Sequence, residues 1–142
     1  MTYPTQPIAK TASFTLDRRV HADNWVVCNA AAGMTVTLPA SAGTGDKYKL
    51  FVGTTVTSNN FIVAVANATD VISGAVHLTT DIAGTSMPAS GTDDTITMNG
   101  TTKGGVKGSW VILEDVATGF WVLSGGLICT STEATPFSAA VS

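Results

Sequence analysis

His21, His77, Cys28 and Cys129 are the side chains through which this 142-residue chain would have to bind zinc or activate a nucleophile. Zinc sites place ligands two to five residues apart, and these four are scattered, so their spacing points away from a structural metal. Nucleophilic catalysis needs a base beside the nucleophile, yet neither histidine lies in a recognisable motif and no Gly-x-Ser-x-Gly elbow is present. His77 reads as an exposed or hydrogen-bonded strand residue, and His21 as part of a polar turn. The cysteines read as buried small hydrophobes, with a late Cys28–Cys129 disulfide as the alternative. Asp93 and Asp94 could offer carboxylates to calcium, but their surroundings do not match a calcium-loop spacing. Carboxylates that pair for glycoside cleavage can be distant in the chain and leave no such signature.

Two glycine-rich stretches invite a phosphate-binding reading. Gly43-Thr-Gly45 lacks the third glycine and the helix that a dinucleotide loop needs, so it reads as a turn. Gly104-Gly-Val-Lys-Gly108 carries the right residue types in the wrong order and reads as a loop before a strand. No catalytic, cofactor or metal residue is therefore assigned, and the chain reads as a protein that is not an enzyme.

Composition narrows the classes further. Charged residues make up 12% of the chain and hydrophobic residues 44%, which argues for a folded core rather than disorder. The length suits one domain. A net charge of −3 and scattered basic residues argue against nucleic acid as a partner. No apolar run is long enough to cross a bilayer as a helix, and the N-terminus lacks the pattern of a secretory signal, so a cytoplasmic site of synthesis is expected. So few charges also suggest that part of the surface is covered by a partner.

The elements that must position these residues are strands. Short β-favouring stretches occur at 13–16 and Trp25–Cys28, and residues 34–38 alternate apolar and polar with period two until Pro39 stops them. Lys47–Val52 alternates likewise, with Tyr48, Leu50 and Val52 inward. Residues 61–66 are apolar on both faces, which suggests a central strand or one whose outer face, at Ile62, meets another subunit. Residues 67–91 are rich in Gly, Ser, Thr and Asp and read as long loops. Thr95–Met98 followed by Asn99-Gly100 carries the signal of a type I′ hairpin. A second hairpin joins 110–113 to 120–123 and holds two of the three tryptophans, Trp110 and Trp121. No segment reads as a real helix, and no repeat of fixed period is visible.

The fold class expected is all-β: a single β-sandwich or jelly-roll-like domain over 11–130, with an N-terminal arm at 1–10 and a C-terminal tail at 131–142. Pro4 and Pro7 mark the arm as an extended segment lying on something else. The side chains assigned to an oligomer or partner interface are Tyr3, Pro4, Pro7, Ile62, Trp121, Pro136 and Phe137.

The run from Thr37-Leu-Pro-Ala40 through Lys47-Tyr-Lys-Leu-Phe-Val-Gly53 to Val65-Ala-Asn-Ala-Thr-Asp-Val-Ile-Ser-Gly74 resembles bacteriophage capsid decoration (cement, head-stabilising) proteins. The closing Trp110-Val-Ile-Leu-Glu-Asp-Val-Ala-Thr-Gly-Phe-Trp-Val-Leu-Ser-Gly125, followed by Thr135-Pro-Phe137, is similar to the last hairpin and tail of the same group. The resemblance spans most of residues 25–137 and rests on turn patterns rather than active-site signatures. It implies a virion protein on the capsid exterior, commonly a homotrimer, whose partners are the major capsid protein and its own copies. A competing expectation is a trimeric tail-fibre, spike or host-recognition module in which loops between 67 and 108 bind a surface glycan.

Overall fold

A computed structural model describes residues 6–142. Twelve strands form two sheets packed on a single core: β1 (Ile8–Lys10), β2 (Phe14–Thr15), β3 (Trp25–Cys28), β4 (Met34–Thr37), β5 (Lys47–Val52), β6 (Phe61–Ala64), β7 (Val71–Thr79), β8 (Gly84–Pro88), β9 (Thr95–Met98), β10 (Trp110–Ala117), β11 (Phe120–Ile128) and β12 (Phe137–Ser138). One helical turn, α1 (Arg18–His21), joins β2 to β3 and is capped by the Asp17 carboxylate, which accepts from the Arg19 N–H. The seven-stranded sheet runs β1-β3-β5-β10-β11-β7-β8, and the five-stranded sheet runs β12-β9-β6-β4-β2. The central strands of both sheets bury one face in a common core, which makes the all-β sandwich the sequence pattern calls for.

The connectivity is not that of a jelly roll. The first six strands alternate between the sheets, odd-numbered strands in the larger and even-numbered strands in the smaller. Successive strands within each sheet are parallel: β1 with β3, β3 with β5, β2 with β4, and β4 with β6. The N-terminal half thus winds as a short flattened coil, whereas a jelly roll is built from antiparallel Greek keys. Strand starts at Ile8, Trp25 and Lys47 are unevenly spaced along the chain, which is why the winding leaves no fixed sequence period. Antiparallel pairing enters after β6: β8 pairs with β7, β9 with β6, and β10 closes the coil against β5 and turns into β11.

Four local expectations change. Residues 67–91 are not long loops: β7 is nine residues long and sits between β11 and β8. Ile72, Val76 and Leu78 lie inward at even spacing, while Ser73, Ala75, His77 and Thr79 take the outer face, so a true alternation hides in a polar composition. Gly74 adopts φ +133° in this strand, and a Cβ there would stand 2.2 Å from the Leu123 carbonyl oxygen. Asn99-Gly100 does not turn a hairpin either. β9 pairs with β6 and β12, both distant in sequence, and the next strand joins the other sheet. Asn99 instead folds the loop by accepting from the Thr101, Thr102 and Lys103 N–H groups.

Among the described residues, parts of the proposed arm and tail pair with the body. Residues 8–10 form β1 at the edge of the larger sheet, and Phe137–Ser138 form β12 at the edge of the smaller one. The tail is pinned further by Asp94, whose carboxylate accepts from the Ala140 and Val141 N–H groups. Strand pairing satisfies backbone groups that a free arm would leave to solvent.

Candidate interaction surface

The histidines and cysteines occupy separate settings among the described residues. His77 is exposed on β7, 2.9 Å from the Ser86 hydroxyl. His21, expected in a polar turn, is instead 4% exposed, packed against Phe14, with Nδ1 accepting from the Asp17 N–H. Burial, reinforced by the Lys10 charge, holds its pKa below the ordinary 6.5. Cys28 and Cys129 are both buried free thiols, and burial pushes Cys28 up to about 12. Among the described residues, no three of His, Cys, Asp and Glu gather where a metal ion could sit.

Three buried carboxylates act as clamps for loops. Asp115 accepts from the Ala42 and Gly43 N–H groups and from the Thr44 hydroxyl, so the Gly43-Thr-Gly45 stretch is a turn tied to β10. Asp70 holds the Ser41 N–H and hydroxyl at 2.8 Å, and the Ser41 oxygen accepts in turn from the Gly119 N–H in the β10–β11 turn. Asp94 docks the C-terminal segment. Burial raises the pKa of Asp94 and Asp115, but the converging N–H and O–H donors outweigh it and hold both below the usual carboxylate value.

On the outer face of the larger sheet, Trp25 of β3, Phe51 of β5, and Trp110 and Ile112 of β10 line an open depression of about 410 Å³. The register explains the grouping: Phe51 stands beside Trp110, and Lys49 lies between Trp25 and Ile112. Trp25 meets Phe51 edge-on at 6.4 Å, and the Lys49 ammonium lies 5.6 Å from the centre of the Trp25 indole ring. Gly126 opposes Trp110 on β11, and a Cβ there would come within 2.9 Å of the indole Nε1, so the glycine leaves room for the ring. Further along the same face, Phe120 and Val122 are 37% and 40% exposed. At the far end of the sheet, Ile82 in the β7–β8 turn is 90% exposed.

The interface residues assigned from sequence distribute differently. Tyr3 and Pro4 lie outside the described residues. Pro7 is exposed just before β1, and Ile62 is half-buried on the outer face of β6, the middle strand of the smaller sheet. Trp121, Pro136 and Phe137 are buried within the protomer, so their side chains are unavailable to a partner. Trp121 is 1% exposed and packs against Tyr48 at 5.8 Å. Of the second hairpin's two tryptophans, Trp121 lies in the core with Val111, Leu113 and Leu123, while Trp110 lies on the outer face. Trp25, Trp110 and Ile112 escaped the sequence reading because β3 and β10 carry apolar residues at both parities, so alternation does not say which set faces out, while Phe51 sits on the lysine-bearing outer parity of β5 and was not singled out.

Comparison with protein-family models, with curated protein sequences and with solved structures gave no match to this chain.

Proposed function

We propose that this chain is a structural binding protein that coats the outside of a bacteriophage capsid and stabilises the shell by bridging capsid subunits, as a homo-oligomer and in the trimeric form its sequence resemblance implies. The observation that carries the binding role is the outer face of the seven-stranded sheet, where Trp25, Phe51, Trp110 and Ile112 present aromatic and aliphatic surface on a body with only 12% charged residues. A cluster of aromatic and aliphatic side chains on the outer face of a sheet suits a contact with another macromolecule, since aromatic residues carry a large share of such contact energies.

The body suits a role in which the protein must hold rather than react. Buried carboxylates at Asp70, Asp94 and Asp115 tie loops and the C-terminal segment to the sheets. A rigid protein that binds only assembled subunits shifts the equilibrium toward the shell by mass action. Several copies linked in one oligomer make modest individual contacts act together. The phage assignment rests on the sequence resemblance, and the contact surface rests on geometry.

The test is co-sedimentation of the purified protein with phage head shells that lack their outer coat. Wild-type protein is expected to pellet with the shells and raise their resistance to heat, and Ile112→Glu to stay in the supernatant while melting at the wild-type temperature. Equal binding by wild type and variant would remove the face from the contact, and no binding by either would remove the capsid role.

A further inference from the structure

His21 ends α1 on a link that leaves the larger sheet after β1 and returns to it at β3. On the way the link lays β2 along the edge of the smaller sheet, with Phe14 beside Val36 and Thr15 beside Thr37. Two further bonds hold it there: the Leu16 N–H donates to the Thr37 carbonyl, and the Thr35 N–H donates to the Ser13 hydroxyl oxygen. The ends of the link are pinned independently, because β1 and β3 pair with each other from Ile8 to Lys10. Lifting residues 11–24 off the edge therefore breaks one strand pairing, that of β2 with β4, and leaves the remaining pairs in both sheets intact.

The buried imidazole closes this link on itself. Nδ1 accepts from the Asp17 N–H at 2.8 Å while the His21 N–H donates to the Asp17 carbonyl, so side chain and backbone tie the same two residues. The ring packs on Phe14 with 5.2 Å between centroids, which joins the turn to the edge strand. Only a neutral imidazole can do this. An imidazolium carries a proton on both nitrogens and accepts nothing, so protonation sets Nδ1–H against the Asp17 N–H, donor to donor. Nε2 carries the neutral ring's proton and is buried without a partner among the described residues, so no acceptor stands there to stabilise a cation. The charges around the ring divide. From β1, the Lys10 ammonium lies 4.9 Å from the centre of the Phe14 ring and opposes a second cation, whereas the Asp17 carboxylate favours one. Arg18 is paired with Asp46 at 2.9 Å, Arg19 is exposed, and β2 brings no titratable group. Burial and Lys10 together outweigh Asp17.

We propose that His21 is a pH latch: its neutral ring holds residues 13–22 on the edge of the smaller sheet, and its protonation frees that segment and bares the β4 edge while both sheets persist. The closed segment takes up a proton less readily than the open one, so the open fraction grows as pH falls below 6.5. An edge strand of two residues lies at the low-stability end of a fold and opens before the central strands do. The bared edge of β4 presents unpaired backbone groups, the form in which a sheet accepts an added strand. Nothing in the latch depends on the capsid role.

The test is amide hydrogen exchange of the full chain, followed by NMR at pH 7.5 and pH 5.0 with rates corrected for the intrinsic effect of pH. Leu16, Asp17, His21 and Thr35 are expected to lose protection at the lower pH. Leu38, bonded to Ala64 on the far side of β4, and Cys129, bonded to Thr79 in the other sheet, are expected to keep theirs. His21→Asn offers an acceptor in place of Nδ1 but cannot titrate, and should hold the segment protected at both pH values. Lys10→Gln keeps the ring and removes the opposing charge, so its loss of protection between the two pH values should be smaller than that of wild type. Equal protection at both pH values, a loss shared by Leu38 and Cys129, or a loss as large in His21→Asn as in wild type would overturn the latch. Should His21→Asn fail to fold, Lys10→Gln decides, and a loss undiminished from that of wild type overturns it.

Discussion

Asp115 stabilises by what it satisfies. Its carboxylate is buried and receives two backbone N–H donors and the Thr44 hydroxyl, so removing it leaves buried donors without an acceptor. Asp115→Ala is expected to lose roughly 2–4 kcal/mol of stability, read as a lower urea midpoint. The same carboxylates set an acid limit. Because the folded-state pKa values of Asp94 and Asp115 lie below the usual 3.8, their contribution is present above that value and is lost as pH falls through the folded ones. His21 adds a second, higher window. Its folded pKa is depressed below 6.5, so the unfolded chain takes up a proton first and stability falls as pH drops below 6.5, levelling off once the folded imidazole also protonates. Melting temperatures recorded from pH 8 to pH 3 should show both declines, and His21→Asn should abolish the upper one alone.

Among the elements, β7 carries the sharpest expectation. It pairs in parallel with β11 over nine residues, and Gly74 sits where the Leu123 carbonyl leaves no space for a side chain. Gly74→Ala adds a Cβ both in a left-handed conformation and against that backbone. The expected result is loss of amide-exchange protection along β7 and β8, with the β10–β11 hairpin retained. Protection unchanged in β7 would contradict the close approach. Strands with clean alternation were readable from sequence, and Lys47–Val52 turned Tyr48, Leu50 and Val52 inward as its pattern requires. β7 was not readable, because its outward positions are small and polar and Gly74 interrupts its apolar spacing. The Asn99-Gly100 pair misled for the converse reason. A strong local turn signal says nothing about which distant strand supplies the partner, and here the partners came from β6 and β12.

At the scale of the whole molecule, the sandwich and its near absence of helix were legible from many short strands separated by turn residues. The parallel winding of the first six strands was not, since pairing order is a long-range property that no local pattern records. The apolar outer face was not legible, because it depended on the register that gathers Trp25, Phe51, Trp110 and Ile112 on one face. Burial of Trp121, Pro136 and Phe137 shows how composition alone misassigns large apolar residues. Strand parity settles such assignments only after the partners are known.

The most direct measurement of the central claim is electron microscopy of intact virus particles carrying this protein, with copy number counted. Many copies in a regular lattice on the head, each with the outer face of its seven-stranded sheet covered by a neighbour, is the predicted result. Absence from the particle, a few copies at a single vertex, or a lattice in which that face looks into solvent would contradict it.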